Sequence, residues 1–249
     1  MNIPKISIIV VSYNAGKTIE RTINSIINQT YSDYEVVFID GKSKDSTCEI
    51  ITSAIKRFEE KGIKTQFVSE PDAGAYDAMN KGAKLAHGVW CTYMNADDKY
   101  YDATALERVA SNLEESIDIV YGHTMFIDGE RRWIENAKAV DTITTHLPFC
   151  PQATFVKTDL QKEYLFDTSY KISADYDFFL RAYLAKKVFI QINEVIANFY
   201  FGGISNRNLI DTYKEDTSVK IKNGIEKKGS IIRKIKFTIF RFKMLVGKK

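Results

Sequence analysis

Apolar positions in the first hundred residues come in short unbroken runs, separated by segments of helical spacing. Ile6 to Tyr13 is a β-branched run of the kind that forms a strand buried on both faces, and Asn14-Ala15-Gly16 marks its turn. Ile19, Ile23, Ile26 and Ile27 then recur at the spacing of a helix running to about Gln29. Thr18 is the expected cap of that helix, with Arg21 where a capping box would carry Glu. Tyr34 to Asp40 predicts a second strand, and Ile50, Ile51, Ile55 and Phe58 a second helix. Thr65 to Ser69 predicts a third strand. Ala75 to Ala86 predicts a third helix, with Gly88 as its stop, and Val89 to Met94 a fourth strand. This alternation predicts an α/β fold with a mostly parallel sheet, helices on both faces and right-handed crossovers.

After Asp98 the pattern changes. Thr104 to Leu113 reads as a helix and Ile117 to Tyr121 as a short strand. Met125 to Ile127 and Arg131 to Ile134 read as a hairpin about Asp128-Gly129. Residues 136–152 have no period and contain His146, Pro148 and Pro151, the mark of a functional or mobile loop. Ala153 to Val156 predicts a strand, Ala174 to Ala185 a helix, and Val188 to Tyr200 a strand-rich stretch. Gly202-Gly203-Ile204-Ser205 predicts a flexible loop.

The acidic residues add chemistry to this scaffold. Asp40, the Glu70–Asp72 loop and Asp97-Asp98 all fall at the carboxyl ends of predicted parallel strands, the edge where α/β sheets bind ligands. Two adjacent carboxylates repel each other unless something positive compensates, and a divalent cation is the simplest partner for oxygen ligands. Taken alone, Asp97-Asp98 reads more simply as a solvated acidic turn. A shared edge with Asp40 and Asp72 argues for a site.

Length and composition set outer limits. The chain has 249 residues, 45% of them hydrophobic and 12% aromatic, enough for one large domain with a small appendage. Its three cysteines are widely spaced without a paired motif, which argues against a disulfide framework or zinc site and suits a reducing cytosol. The N-terminus runs straight into a strand, so no signal peptide is expected, and no apolar stretch is long enough to span a bilayer. Net charge is +3, yet residues 227–249 carry nine Lys and Arg and no acid, so the rest of the chain is net negative. Ile231, Ile232, Ile235, Ile239, Phe242 and Val246 fall within about 100° of arc on a helical wheel. A basic amphipathic helix of this kind suits an anionic membrane surface, or packs its stripe on the domain. Nucleic acid is not an expected partner, since the body is acidic and no binding signature is present.

The chain resembles the family 2 glycosyltransferases, enzymes of the GT-A fold, over about residues 5–205. The resemblance rests on Ile8-Ile9-Val10-Val11-Ser12-Tyr13-Asn14, Ser25 to Tyr31, Phe38-Ile39-Asp40-Gly41 through Thr47, Glu70 to Gly82, Asn95-Ala96-Asp97-Asp98, and Ser173 to Arg181. It implies inverting transfer of a sugar from a nucleotide-sugar, with a UDP-sugar expected, to an acceptor hydroxyl. A divalent metal, Mn or Mg, would be held by Asp97 and Asp98, with Asp97 also serving the diphosphate and ribose. Asp40 would bind the nucleoside, Ser12 and Tyr13 would line the base pocket, Asp72 and Asp77 would lie nearby, and Asp175 would be the general base. Arg181 is expected to be a structural ion-pair partner, and His87 and His123 structural or surface residues.

Three departures stand out. Asn95 opens the metal motif where Asp is common. Lys42 replaces a glycine, and Pro151 stands beside Gln152 where relatives place a His, with His146 as a possible substitute. The implied organisation is a GT-A domain over 1–210, with a nucleotide-sugar half (about 1–100) and an acceptor half (101–210), followed by a helical basic tail over 211–249. The implied setting is a lipid-linked glycan acceptor in cell-surface polysaccharide synthesis, at the cytoplasmic face of the membrane, with 230–249 on anionic lipid. Two other classes stay open: a sugar-nucleotide nucleotidyltransferase and a non-catalytic membrane-bound nucleotide-binding scaffold.

Overall fold

A computed structural model describes residues 3–201 and 208–227. The first half alternates as the apolar pattern predicts: β1 (Ile6–Ser12), α1 (Ile19–Ile27), β2 (Tyr34–Asp40), α2 (Thr47–Glu60), β3 (Lys64–Ser69), α3 (Ala75–Leu85) and β4 (Trp90–Asn95). β1 pairs in parallel with β2 and β4, and β2 with β3. Every residue of β1 and β2 is buried, because both faces of this sheet are covered. Alternate side chains serve opposite cores. Ile8, Val10 and Phe38 join Ile23, Ile26, Ile51 and Phe58 of α1 and α2 on one face. Ile9, Val11 and Ile39 join Ala78, Met79 and Ala83 of α3 on the other.

The second half is mixed rather than parallel. β5 (Lys99–Tyr100) and α4 (Ala105–Ala110) lead to β6 (Ile119–Asp128), which hairpins to β7 (Arg131–Glu135) with Gly129 at φ 60° in the turn. Two short 3-10 turns, Val140–Thr144 and Pro151–Ala153, occupy the aperiodic loop. β8 (Thr154–Lys157) is followed by α5 (Thr158–Tyr164), a helix the apolar pattern does not announce, and by α6 (Ala174–Leu184) and β9 (Phe189–Tyr200). The sheet order is β3-β2-β1-β4-β8-β6-β9-β5, with β8 antiparallel to both β4 and β6. The parallel half therefore ends at β4, where β8 runs back against it.

α7 (Leu209–Lys222) packs its Val219 into the core that holds α3 and α6. The division expected after residue 210 falls inside this helix. Among the described residues no helix is long and apolar enough to cross a membrane. The apolar stripe from Ile231 to Val246 and the Gly202–Ser205 loop lie outside the described residues.

Gly88 does not cap α3 but lies beyond its end, where the C-cap is Ala86. A Cβ on Gly88 would sit 2.6 Å from the Ser7 amide nitrogen and 2.8 Å from the Ile6 carbonyl carbon, while its own N–H donates to Ser7 Oγ at 2.8 Å. Backbone cannot retreat the way a flexible side chain can. Gly88→Ala is expected to destabilise the chain by about 1–3 kcal/mol, read as a lower midpoint in urea with unchanged slope.

Candidate active site

A cleft of about 1040 Å³ opens at the carboxyl ends of β1 and β4. Ser12 and Tyr13 line it from β1 and its turn, Asp72 from the loop after β3, Asn95, Asp97 and Asp98 from the end of β4, and Asp175 from the start of α6. Six of the predicted residues, distant in sequence, thus share one cavity. Tyr13 is 62% exposed at its mouth. Gly41 makes the close approach beside it possible: a Cβ there would lie 2.5 Å from Asp72 Oδ2 and 3.2 Å from the Tyr13 ring.

Asp40 and Asp77 do not line the cleft. Asp40 is fully buried behind Ser12, whose hydroxyl donates to Asp40 Oδ1 at 3.1 Å. Its other carboxylate oxygen accepts from the Ser43 amide and the Ser69 hydroxyl, each at 2.8 Å, and from the Cys48 thiol at 3.2 Å. Burial works to raise the Asp40 pKa, but these donors together outweigh it and hold the carboxyl below its usual value. Asp40 therefore ties the ends of β1, β2 and β3 together. Lys42 sits in the same loop at φ 64°, the left-handed conformation that glycine takes without strain. Asp40→Ala would strand several buried donors. It is expected to cost about 1–3 kcal/mol and to lower the thermal midpoint at neutral pH. Because the folded carboxyl titrates below its unfolded value, this contribution is present at neutral pH and lost on acidification.

Asp77 faces the loop before its own helix. It accepts from the Ala73 amide at 3.0 Å and pairs with Lys81 at 3.4 Å. The amide bond first, then the lysine, holds its carboxyl below the usual range. It shapes the Asp72–Gly74 turn, in which Gly74 donates to Asp72 Oδ1 at 2.9 Å.

The Asp97-Asp98 pair is electrostatically costly as it stands. Asp98 is 1% exposed, and its carboxyl is pushed up to about 8, by burial first and by Asp97 second. The Tyr200 amide at 3.1 Å and the Asn95 side-chain amide at 3.3 Å offset only part of this. Burial likewise raises Asp97. Arg21 stands in for a cap it does not make. Its guanidinium donates to the Asp97 carbonyl and stacks 3.8 Å from the centre of the Tyr200 ring, yet its charge leaves both carboxyls raised. Among the described residues, no group of three or more His, Cys, Asp or Glu side chains is gathered for a metal. Two under-compensated carboxylates nevertheless fit a hard divalent cation whose remaining ligands would come from phosphate and water. Asn95 instead donates to Asp98, which makes the carboxylates the ligand candidates.

Asp175 is the second helical residue of α6, after the N-cap Ser173, so it does not cap that helix. Its carboxyl is pushed up to about 6. Burial outweighs the hydrogen bond from the Tyr176 amide at 2.8 Å and the adjacent Tyr76 hydroxyl, and Asp216 adds repulsion. A carboxylate with that value, open to a cleft, is suited to accept a proton near neutral pH. Arg181 does not touch it, but binds the buried Asp177 at 2.8 Å as a structural partner. His123 is structural as well, accepting the Ala137 amide at 3.0 Å. His146 and Gln152 both line the cleft. Burial, then Lys138 and Lys220, hold the His146 imidazole below its usual value, hence neutral at pH 7.

Three comparisons bear on this cleft. The sequence profile of Glycosyl transferase family 2 matches residues 7–186. A PGL/p-HBAD biosynthesis glycosyltransferase of Mycobacterium bovis is 33% identical over 211 residues, covering 83% of this chain and 81% of the relative. A poly(ribitol-phosphate) beta-glucosyltransferase of Bacillus spizizenii is 31% identical over 195 residues, covering 74% of this chain but only 30% of its own length. Among solved structures, S. aureus TarS 1–349 in complex with UDP superposes with a TM-score of 0.66 at 20% identity. That match covers 88% of this chain and 65% of the TarS chain, so this chain spans somewhat under two thirds of it. A mannosyltransferase of Pyrobaculum calidifontis in complex with GDP-Man and Mn2+ gives a TM-score of 0.68 at 16% identity, covering 93% of this chain and 67% of that one. At these identities the structural likeness speaks for the GT-A fold.

Proposed function

The chain belongs to glycosyl transferase family 2, and on that premise we propose that it transfers a sugar with inversion from a nucleotide-sugar to an acceptor hydroxyl. The observation that carries this reading is one cleft holding an acidic pair at the end of β4 and, from α6, a separate carboxylate tuned to about 6. The acceptor O–H proton passes to Asp175 as the acceptor oxygen bonds to the anomeric carbon. The bond from that carbon to the phosphate oxygen breaks, and its electron pair leaves with the nucleoside diphosphate. A divalent Mn or Mg ion held by Asp97 and Asp98 would supply Lewis-acid neutralisation of the phosphates. Ser12, Tyr13 and Asp72 receive the nucleoside and ribose, while Asp40 and Asp77 act behind them by fixing the loops that carry those groups. The similar structures were solved with UDP or GDP-Man. A UDP-sugar is the proposed donor.

The proposed acceptor is a lipid-linked glycan in surface polysaccharide or glycolipid assembly. The relatives' names support this, as does the basic stripe within residues 230–249. That stripe would keep the enzyme on the cytoplasmic face of the membrane. Nucleoside diphosphate release should be measured from UDP-glucose, UDP-GlcNAc and GDP-mannose with Mn2+ and Mg2+, with NMR of the product's anomeric centre. Retained configuration, or pyrophosphate release in place of nucleoside diphosphate, would overturn the reading. Sedimentation with phosphatidylglycerol vesicles checks the membrane arm: the full chain should pellet, and a chain ending at 227 should not.

A further inference from the structure

The family match ends at residue 186, yet α7 reaches back to the turn just before Asp175. A helix leaves its first backbone N–H groups without internal partners, and the N-cap Ser173 of α6 makes no side-chain cap of its own. Glu215, from α7, instead takes the amides that lead into that helix. Its carboxylate takes the consecutive amides of Lys171 at 3.1 Å, Ile172 at 2.8 Å and Ser173 at 3.0 Å. The next residue, Asp216, accepts the Ser173 hydroxyl at 2.7 Å and itself lines the cleft. One helical segment of α7 thus binds the three backbone amides and the serine hydroxyl of the Lys171–Ser173 turn, two residues before Asp175.

A second clamp works one turn along. Buried Asp177 accepts from Lys222 at 3.2 Å and from the Asn223 side chain at 3.0 Å, both at the C-terminal end of α7. Two separate contacts therefore set the rotation and depth of the first turn of α6.

We propose that Glu215 and Asp216 are positioning residues for Asp175, so that α7 completes the active site from outside the family-matched segment. The inference rests on the reading of Asp175 as the base. Glu215 fixes the turn, as an acceptor-only group matched to three donors. Asp216 tunes the base by charge as well as by position. The titratable groups near Asp175 are Tyr76 from α3, Cys150 from the loop before β8 and Asp216 from α7. Asp216 in turn lies near Lys220, Glu215 and His146. Removing the Asp216 charge removes a repulsion that keeps the Asp175 carboxyl up.

The test measures nucleoside diphosphate release from UDP-GlcNAc, UDP-glucose and GDP-mannose with Mn2+, using the full chain. Glu215→Gln replaces one acceptor oxygen by a donor facing other donors. It is expected to lower kcat at least tenfold with donor KM within twofold, because Glu215 bonds the Lys171–Ser173 amides and none of the nucleotide-side residues Ser12, Tyr13 and Asp72. Asp216→Asn is expected to shift the acid limb of the rate profile to lower pH. If Glu215→Gln does not fold, Asp216→Asn, which removes the charge, and Ser173→Ala, which removes the bond to Asp216, carry the same test. Release at the wild-type kcat in all folded variants, with Asp175→Asn inactive and no shift of the acid limb, overturns the positioning role and leaves the base standing. Unchanged release in Asp175→Asn overturns both.

Discussion

Asp175→Asn is expected to slow nucleoside diphosphate release by about 10²–10⁴-fold, the usual contribution of a positioned general base. The substitution keeps the shape and an acceptor oxygen for the Tyr176 amide, but removes the proton acceptor. Affinity for UDP should be unchanged, since no nucleotide-side residue is altered. Isothermal titration with UDP and Mn2+ separates the two effects. The wild-type rate is expected to rise with pH through about 6, because below that value the carboxyl already carries the proton it must accept. The limb should vanish from the residual rate of the Asn variant. Stability carries the opposite sign. The Asp175 carboxyl titrates higher folded than its ordinary value of 3.8, so ionising it costs stability as pH rises above 3.8, fully so above 6. At pH 7 the Asn variant should unfold no earlier than wild type. Turnover within twofold of wild type would remove Asp175 as the base.

The parts of this molecule that could be read from sequence are those whose constraint is local. β1 and β2 announce themselves because both faces are buried, so no polar residue interrupts the apolar run except Ser7 and Glu35, which bond each other at 2.6 Å. The acidic strand ends were legible because a parallel sheet gathers its carboxyl ends on one edge. What a strand meets across the sheet was not. The four residues of β8, Thr154 to Lys157, carry no mark of direction, and only tertiary placement sets it antiparallel to β4. Burial depth was equally hidden. Asp40 and Asp97 both end or follow β-strands, yet one is saturated by serine hydroxyls and the other is open to the cleft. Arg21, Tyr200, Glu215 and Asp216 enter the site from distant elements with no motif around them. The one available signal was negative: Arg21 is a poor capping-box residue, and it serves the Asp97 carbonyl instead.

Asp98→Asn should divide activity from stability in opposite directions. Burial and the Asp97 charge push the Asp98 carboxyl up to about 8, so without metal the folded chain holds this proton where the unfolded chain has released it. The penalty for ionising it begins above the ordinary carboxyl value of 3.8, grows with pH and is complete above 8. An amide carries no such penalty and still accepts the Tyr200 amide that now reaches Oδ1 at 3.1 Å. In EDTA at pH 8 the variant is expected to melt higher than wild type, by about 3 °C for each kcal/mol of strain relieved. The gap should narrow as pH falls and close only below 3.8. Turnover should move the other way. Loss of one of two carboxylates proposed to hold the cation should cut the Mn2+-supported rate at least a hundredfold, and should weaken stabilisation by Mn2+ with UDP in the same melting experiment. Functional sites commonly carry groups that cost the fold stability, and a pair of carboxylates lacking full compensation is such a group. A variant that melted lower than wild type in EDTA at pH 8 would instead make Asp98 a structural acceptor for Tyr200 and Asn95, and would leave Asp97 as the sole ligand candidate.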